Sequence, residues 1–130
     1  MTEKDIRMYI IINNSLKMGK GKAVAQAGHA ISQVTEIMVT KFKKEWREYS
    51  NNYHPKICLK ADNEIFQSLV EKYDINNGLH ILDGHWAAVQ IDAGFTQVPA
   101  GSATALAFCP MKKDDMPKEL LSIINNLKLF

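Results

Sequence analysis

The chain opens with an apolar, β-branched run, Met8–Ile12, closed by the polar triplet Asn13-Asn14-Ser15. This predicts a buried strand over Met8–Asn13. The period then changes. Ala23, Ala27, Ala30, Ile31, Val34, Ile37, Met38, Phe42 and Trp46 recur at spacings of three and four, which predicts one helix from Gly21 to Glu48. Asn51 and Asn52 end it, and Pro55–Leu59 reads as a second strand. Asn63 is placed to cap a helix over Glu64–Tyr73 that buries Phe66, Leu69 and Val70.

Asn76-Asn77-Gly78 is turn chemistry. Asp83-Gly84 suits a hairpin between Leu79–Leu82 and Trp86–Ile91, and an irregular first half fits equally well. Ser102–Cys109 reads as a small-residue strand stopped by Pro110. Asp114 or Asp115 is expected to cap a last helix running to Asn126, with Pro117 in its first turn. Leu127-Lys128-Leu129-Phe130 alternates, as a segment tied to a sheet edge does. Strands alternating with helices predict an α/β fold, with a mixed, roughly four-stranded sheet flanked by helices on both faces. The 130 residues suit one domain, 1–130, with one core.

Charge adds one feature to this picture. The net charge is +2, but residues 1–50 hold nine Lys/Arg against five Asp/Glu, and residues 51–130 hold seven against nine. The basic excess sits with the first loop and the first helix, which favours a polyanionic partner there. Cys58 and Cys109 lie in apolar runs and read as buried free thiols in a reducing, cytoplasmic compartment. Met8–Ile12 is too short to span a membrane.

Two stretches carry the candidate chemistry. In Lys17-Met18-Gly19-Lys20-Gly21-Lys22, three lysines and two glycines stand where a strand hands over to a helix. Helix N-termini present unbonded N–H groups and partial positive charge, and so favour acids rather than lysines. The arrangement is a local conflict that an anion such as phosphate would resolve. It is neither a Walker A loop nor a GxGxxG turn: Lys20 and Lys22 precede Gly21 and Ala23, and Val24 occupies the third glycine position. Gln26 and His29 follow Lys22 at i+4 and i+7, on one helix face.

The second stretch runs from Asp92 through Thr96 and Gln97 to Gly101-Ser102-Ala103-Thr104. An Asp at a strand end can hold a lysine or a water, and the threonines can hydrogen-bond a substrate. An Asx turn and plain β propensity also account for these residue types. His54, His80 and His85 lack metal-ligand spacing, so no metal is assigned and no cofactor is implied.

At these two stretches the sequence resembles the archaeal/eukaryotic-type peptidyl-tRNA hydrolases. The shared features are the lysine–glycine loop with its Ala23…Gln26…His29 helix start, Asp92-Ala93-Gly94-Phe95-Thr96-Gln97, then Gly101-Ser102-Ala103-Thr104, and the Leu127-Lys128-Leu129-Phe130 ending. The resemblance implies hydrolysis of the ester between a peptidyl group and the 3′ ribose of tRNA, with tRNA as partner, no membrane, and a homodimer in many members. It implies a catalytic group of Lys22, Asp92, Thr96 and Thr104. Lys17, Lys20, Gln26, His29 and Gln97 would contact phosphates or line the cleft.

The chain departs from the family pattern at several points. Asn13-Asn14-Ser15 replaces Arg-x-Asp, Phe95 replaces an arginine, Ala100 replaces a proline with Pro99 before it, and Leu79–Gln90 is longer than the usual connection. Loss of two arginines leaves room for a second reading, a catalytically weak RNA- or protein-binding module. A third is a hydrolase of a related ester.

Overall fold

The computed structural model describes residues 6–73, 75, 85–92 and 101–130. Its centre is β1 (Met8–Asn13), in which every residue is buried. Burial on both faces is what its uninterrupted apolar run requires. β1 runs parallel to β2 (Lys56–Ala61), with Tyr9 opposite Ile57 and Ile11 opposite Leu59. On its other side it runs antiparallel to β4 (Ala103–Phe108), which pairs antiparallel with β3 (Ala87–Ile91). The two-residue β5 (Lys128–Leu129) joins β2 antiparallel. The sheet order is β3-β4-β1-β2-β5, five strands where the sequence predicts roughly four.

The parallel β1–β2 pair requires a crossover, and α1 (Lys20–Lys41) with α2 (Lys43–Asn51) supplies it. α1 packs against β3, β4 and β1 through Ala23, Gln26, Ala30, Val34 and Met38. The single helix expected from Gly21 to Glu48 is instead broken at Phe42, whose φ of −131° and ψ of 57° leave the helical region. The cause is tertiary. The Phe42 ring stacks on Trp86 with centroids 4.1 Å apart and planes 9° from parallel. Trp86 in turn donates Nε1–H to the Val34 carbonyl at 3.2 Å.

α3 (Asn63–Lys72) buries Phe66, Leu69 and Val70 as expected, but its cap is Asp62 rather than Asn63. The Asp62 Oδ1 accepts from the Ile65 N–H at 2.9 Å. α4 (Lys118–Asn126) differs similarly. Asp114 and Asp115 lie in a separate 3-10 turn, and Pro117 stands just before the helix instead of inside its first turn. Cys109 is buried and Cys58 half-buried, both as free thiols. The expected turn at Asn76-Asn77-Gly78 and the hairpin alternative around Asp83-Gly84 lie outside the described residues. Among the described residues no helix is long and apolar enough to cross a membrane.

These connections bring four chain segments to one edge of the sheet. The C-terminal ends of β1, β2 and β3 meet the N-terminal end of β4 there, and α1 begins above them. Sites in α/β folds gather at this kind of edge.

Candidate active site

After β1 the chain makes a 3-10 turn, Asn14–Leu16, and leaves it through Lys17 in the left-handed region at φ 51°. A lysine pays a steric penalty there that glycine would not. Gly19 then stands in extended conformation as the residue before α1, with no side chain to cap the helix. The first turn, Lys20-Gly21-Lys22, contains no acid. Lys17 and Lys20 are exposed, while Lys22 turns inward.

The inward turn is explained by Asp92. Lys22 Nζ lies 2.6 Å from Asp92 Oδ1, with the two side chains only 13% and 6% exposed. Asp92 is held at the end of β3 by backbone bonds on both sides. Its N–H donates to the Ser102 carbonyl at 2.9 Å, and the Gly101 N–H donates to its carbonyl at 2.8 Å. Gly101 sits at φ +84°, a conformation that a Cβ would strain. These two backbone bonds fix the Asp92 main chain at the end of β3. A charge-assisted bond at this length and burial is strong and directional, and it fixes the lysine ammonium above the sheet edge.

Behind this pair lies a second, neutral contact. The Thr104 hydroxyl is 2.5 Å from Gln26 Oε1 and 3.2 Å from the Gln90 carbonyl. The shorter distance fits O–H···O geometry rather than N–H···O. It therefore assigns Oε1 to the threonine and leaves the amide Nε2 of Gln26 with no partner among the described residues. Thr104 is fully buried and Gln26 nearly so. The sequence reading gives Thr104 to the substrate and Gln26 to a cleft wall. In the structure Thr104 is buried against Gln26, with its hydroxyl on Gln26 Oε1.

His29 is exposed, and among the described residues no hydrogen bond or ion pair ties it to this group. Thr96 and Gln97 lie outside the described residues.

Sequence reasoning missed Asn13. It is 1% exposed, donates Nδ2–H to Asn63 Oδ1 at 2.8 Å and to the Ala103 carbonyl at 3.2 Å, and accepts from the Ser15 N–H at 3.3 Å. Ser15 Oγ accepts from the Asn63 N–H at 2.8 Å. The triplet that replaces the family's Arg-x-Asp thus straps the end of β1 to the start of α3 and to the residue before Thr104. In the sequence the triplet stands out as a polar strand end and as a departure from Arg-x-Asp, and neither signal names a partner.

Lys22 and Asp92 together offer a fixed cation beside a carboxylate, and Gln26 adds a neutral donor. This set can stabilise a developing oxyanion and orient a water without a covalent nucleophile. Among the described residues no group of three His, Cys, Asp or Glu is placed to hold a metal ion.

Comparison with known proteins shows the family. The family described as "Peptidyl-tRNA hydrolase PTH2" matches residues 6–130. The chain is 37% identical over 130 residues to a peptidyl-tRNA hydrolase of Sulfolobus acidocaldarius, covering 95% of this chain and 99% of the relative. It is 32% identical over 124 residues to one of Methanocaldococcus jannaschii, covering 95% and 99%. A probable peptidyl-tRNA hydrolase 2 of Dictyostelium discoideum is 33% identical over 126 residues, covering 97% of this chain and 55% of that longer protein.

Proposed function

The chain belongs to the PTH2 family of peptidyl-tRNA hydrolases, and we propose that it cleaves the ester joining a peptidyl group to the 3′ ribose of tRNA, in the cytoplasm, as a single domain over 1–130. The observation that carries this reading is the 2.6 Å ion pair between Lys22 and Asp92 at the sheet edge. It gives the family's reaction the two charges it needs.

In the proposed mechanism Asp92 holds Lys22 and receives the proton of an attacking water. The Lys22 ammonium faces the oxygen on which negative charge grows, and the Gln26 Nε2 donates a second hydrogen bond to it. Collapse of the tetrahedral intermediate expels the ribose 3′ oxygen, which takes the proton back. Thr104 acts through Gln26, by fixing which end of the amide points outward. Thr96 and Gln97 are assigned to the water and the ester carbonyl. Lys17 and Lys20 hold phosphates near the 3′ end, with His29 at the outer rim.

Release of a labelled N-acetyl-aminoacyl group from tRNA tests the reading. Hydrolysis by the wild-type protein that disappears in Asp92→Asn supports it. Protein that binds tRNA and releases nothing overturns it.

A further inference from the structure

A second cationic feature lies on the same sheet edge, over β2 and β5 rather than β3 and β4. A cavity of about 420 Å³ is lined by Lys17, Lys60 and Lys128, with Asp62, Ile65 and Leu127 among its other walls. Lys60 and Lys128 stand directly opposite each other in the antiparallel β2–β5 register. Like charges in that relation oppose strand pairing. The third lysine, Lys17, adopts the left-handed conformation. Among the described residues none of the three has an ion-pair partner. The one carboxylate in the wall, Asp62, already accepts the Ile65 N–H as the cap of α3. Three cations, two of them in mutual repulsion, thus line one hollow against a single carboxylate.

We infer that this cavity seats a phosphate of the RNA strand whose 3′ end lies at Lys22 and Asp92. The inference rests on the proposed function for the identity of the strand. Neighbouring strands are separated by about 4.8 Å, so crossing from β3 and β4 to β2 and β5 covers roughly 10–19 Å, a span of a few nucleotides. Lys17 belongs to the loop beside the catalytic group and also to the cavity, so one backbone passes over both. The ligand chemistry is a phosphodiester, and free phosphate is the competing source.

Lys60→Glu separates the site from the fold. It converts the repelling pair with Lys128 into an attracting one and should raise the melting temperature by about 1–3 °C. The same change should weaken tRNA binding roughly tenfold near physiological salt. The double variant Lys60→Gln/Lys128→Gln should lower the slope of log Kd against log salt by about 1–2. Its single-turnover rate at saturating substrate should match wild type. Binding is read on tRNA itself, so the result stands whether or not hydrolysis is observed, and absence of hydrolysis bears on the proposed function alone. Unchanged tRNA affinity in Lys60→Glu overturns the inference. So does inorganic phosphate that titrates the cavity in a Lys60-dependent way without competing with tRNA.

Discussion

Lys22 and Asp92 are 70 residues apart in the chain and 2.6 Å apart in space. The lysine comes from the first turn of α1 and the aspartate from the end of β3, and the sheet sets the distance between them. Lys22→Ala removes the charge facing the oxyanion, and Asp92→Asn removes the group that aims it. Either change should lower the single-turnover rate by about 10²–10³. Affinity for tRNA should stay close to wild type, because Lys17 and Lys20 remain. Rapid-quench hydrolysis alongside filter binding measures both.

Thr104→Val keeps the shape of the side chain and deletes its hydroxyl. Gln26 Oε1 then loses its donor in a site where the residue is only 4% exposed. The expected cost is about 1–3 kcal/mol in urea unfolding. The amide is freed to rotate, so kcat should fall while KM changes little. Thr104→Ser, which keeps the hydroxyl, should recover most of both.

The Asn13 strap predicts a stability effect at a residue that is 1% exposed. Asn13→Leu leaves the Ala103 carbonyl and the Asn63 side chain without their donor. A loss of about 2 kcal/mol is expected. Asn13→Asp should be comparably harmful, since a carboxylate can supply neither donor. Ser15→Ala should cost less, about 1 kcal/mol. Thermal unfolding of the three variants gives the ranking.

Burial makes the protein sensitive to alkali. The Cys109 thiol is pushed from an ordinary value of 9.0 up to about 12 by desolvation. Tyr49, Tyr73 and Cys58 are raised by the same cause. The folded chain therefore retains protons that the unfolded chain releases between pH 9 and 12. The stabilisation from Cys109 is complete below pH 9 and declines as pH rises toward 12. Urea midpoints should fall over that range, and less steeply in Cys109→Ala. In the native protein at pH 8, alkylation of Cys109 should be slow.

Features encoded by nearby residues were legible in the sequence. The apolar run of β1, the inward face of α3 at Phe66, Leu69 and Val70, and the sheet-bound ending at Lys128–Leu129 all follow from local periodicity and agree with the structure. The two site motifs were also legible, and Lys22 and Asp92 do meet. What escaped depends on partners far along the chain. Phe42 preserves the helical spacing, so periodicity runs straight through it. Only the Trp86 ring explains the break. Asp62 and Asn63 are both good caps in adjacent positions, and local chemistry does not choose between them. The Thr104–Gln26 contact spans 78 residues and Asn13–Asn63 spans 50, and neither has a sequence period to announce it.

The separations within the site also bear on when it comes into being. Lys22 waits for Asp92, Gln26 for Thr104, and Asn13 for Ala103, across 70, 78 and 90 residues. A chain still under synthesis has its lysine loop and α1 long before it has β4. Until β4 enters beside β1, the lysine has no counter-charge and the glutamine no orientation. The competence to cut peptidyl-tRNA therefore arrives late, after most of the polypeptide has already been made.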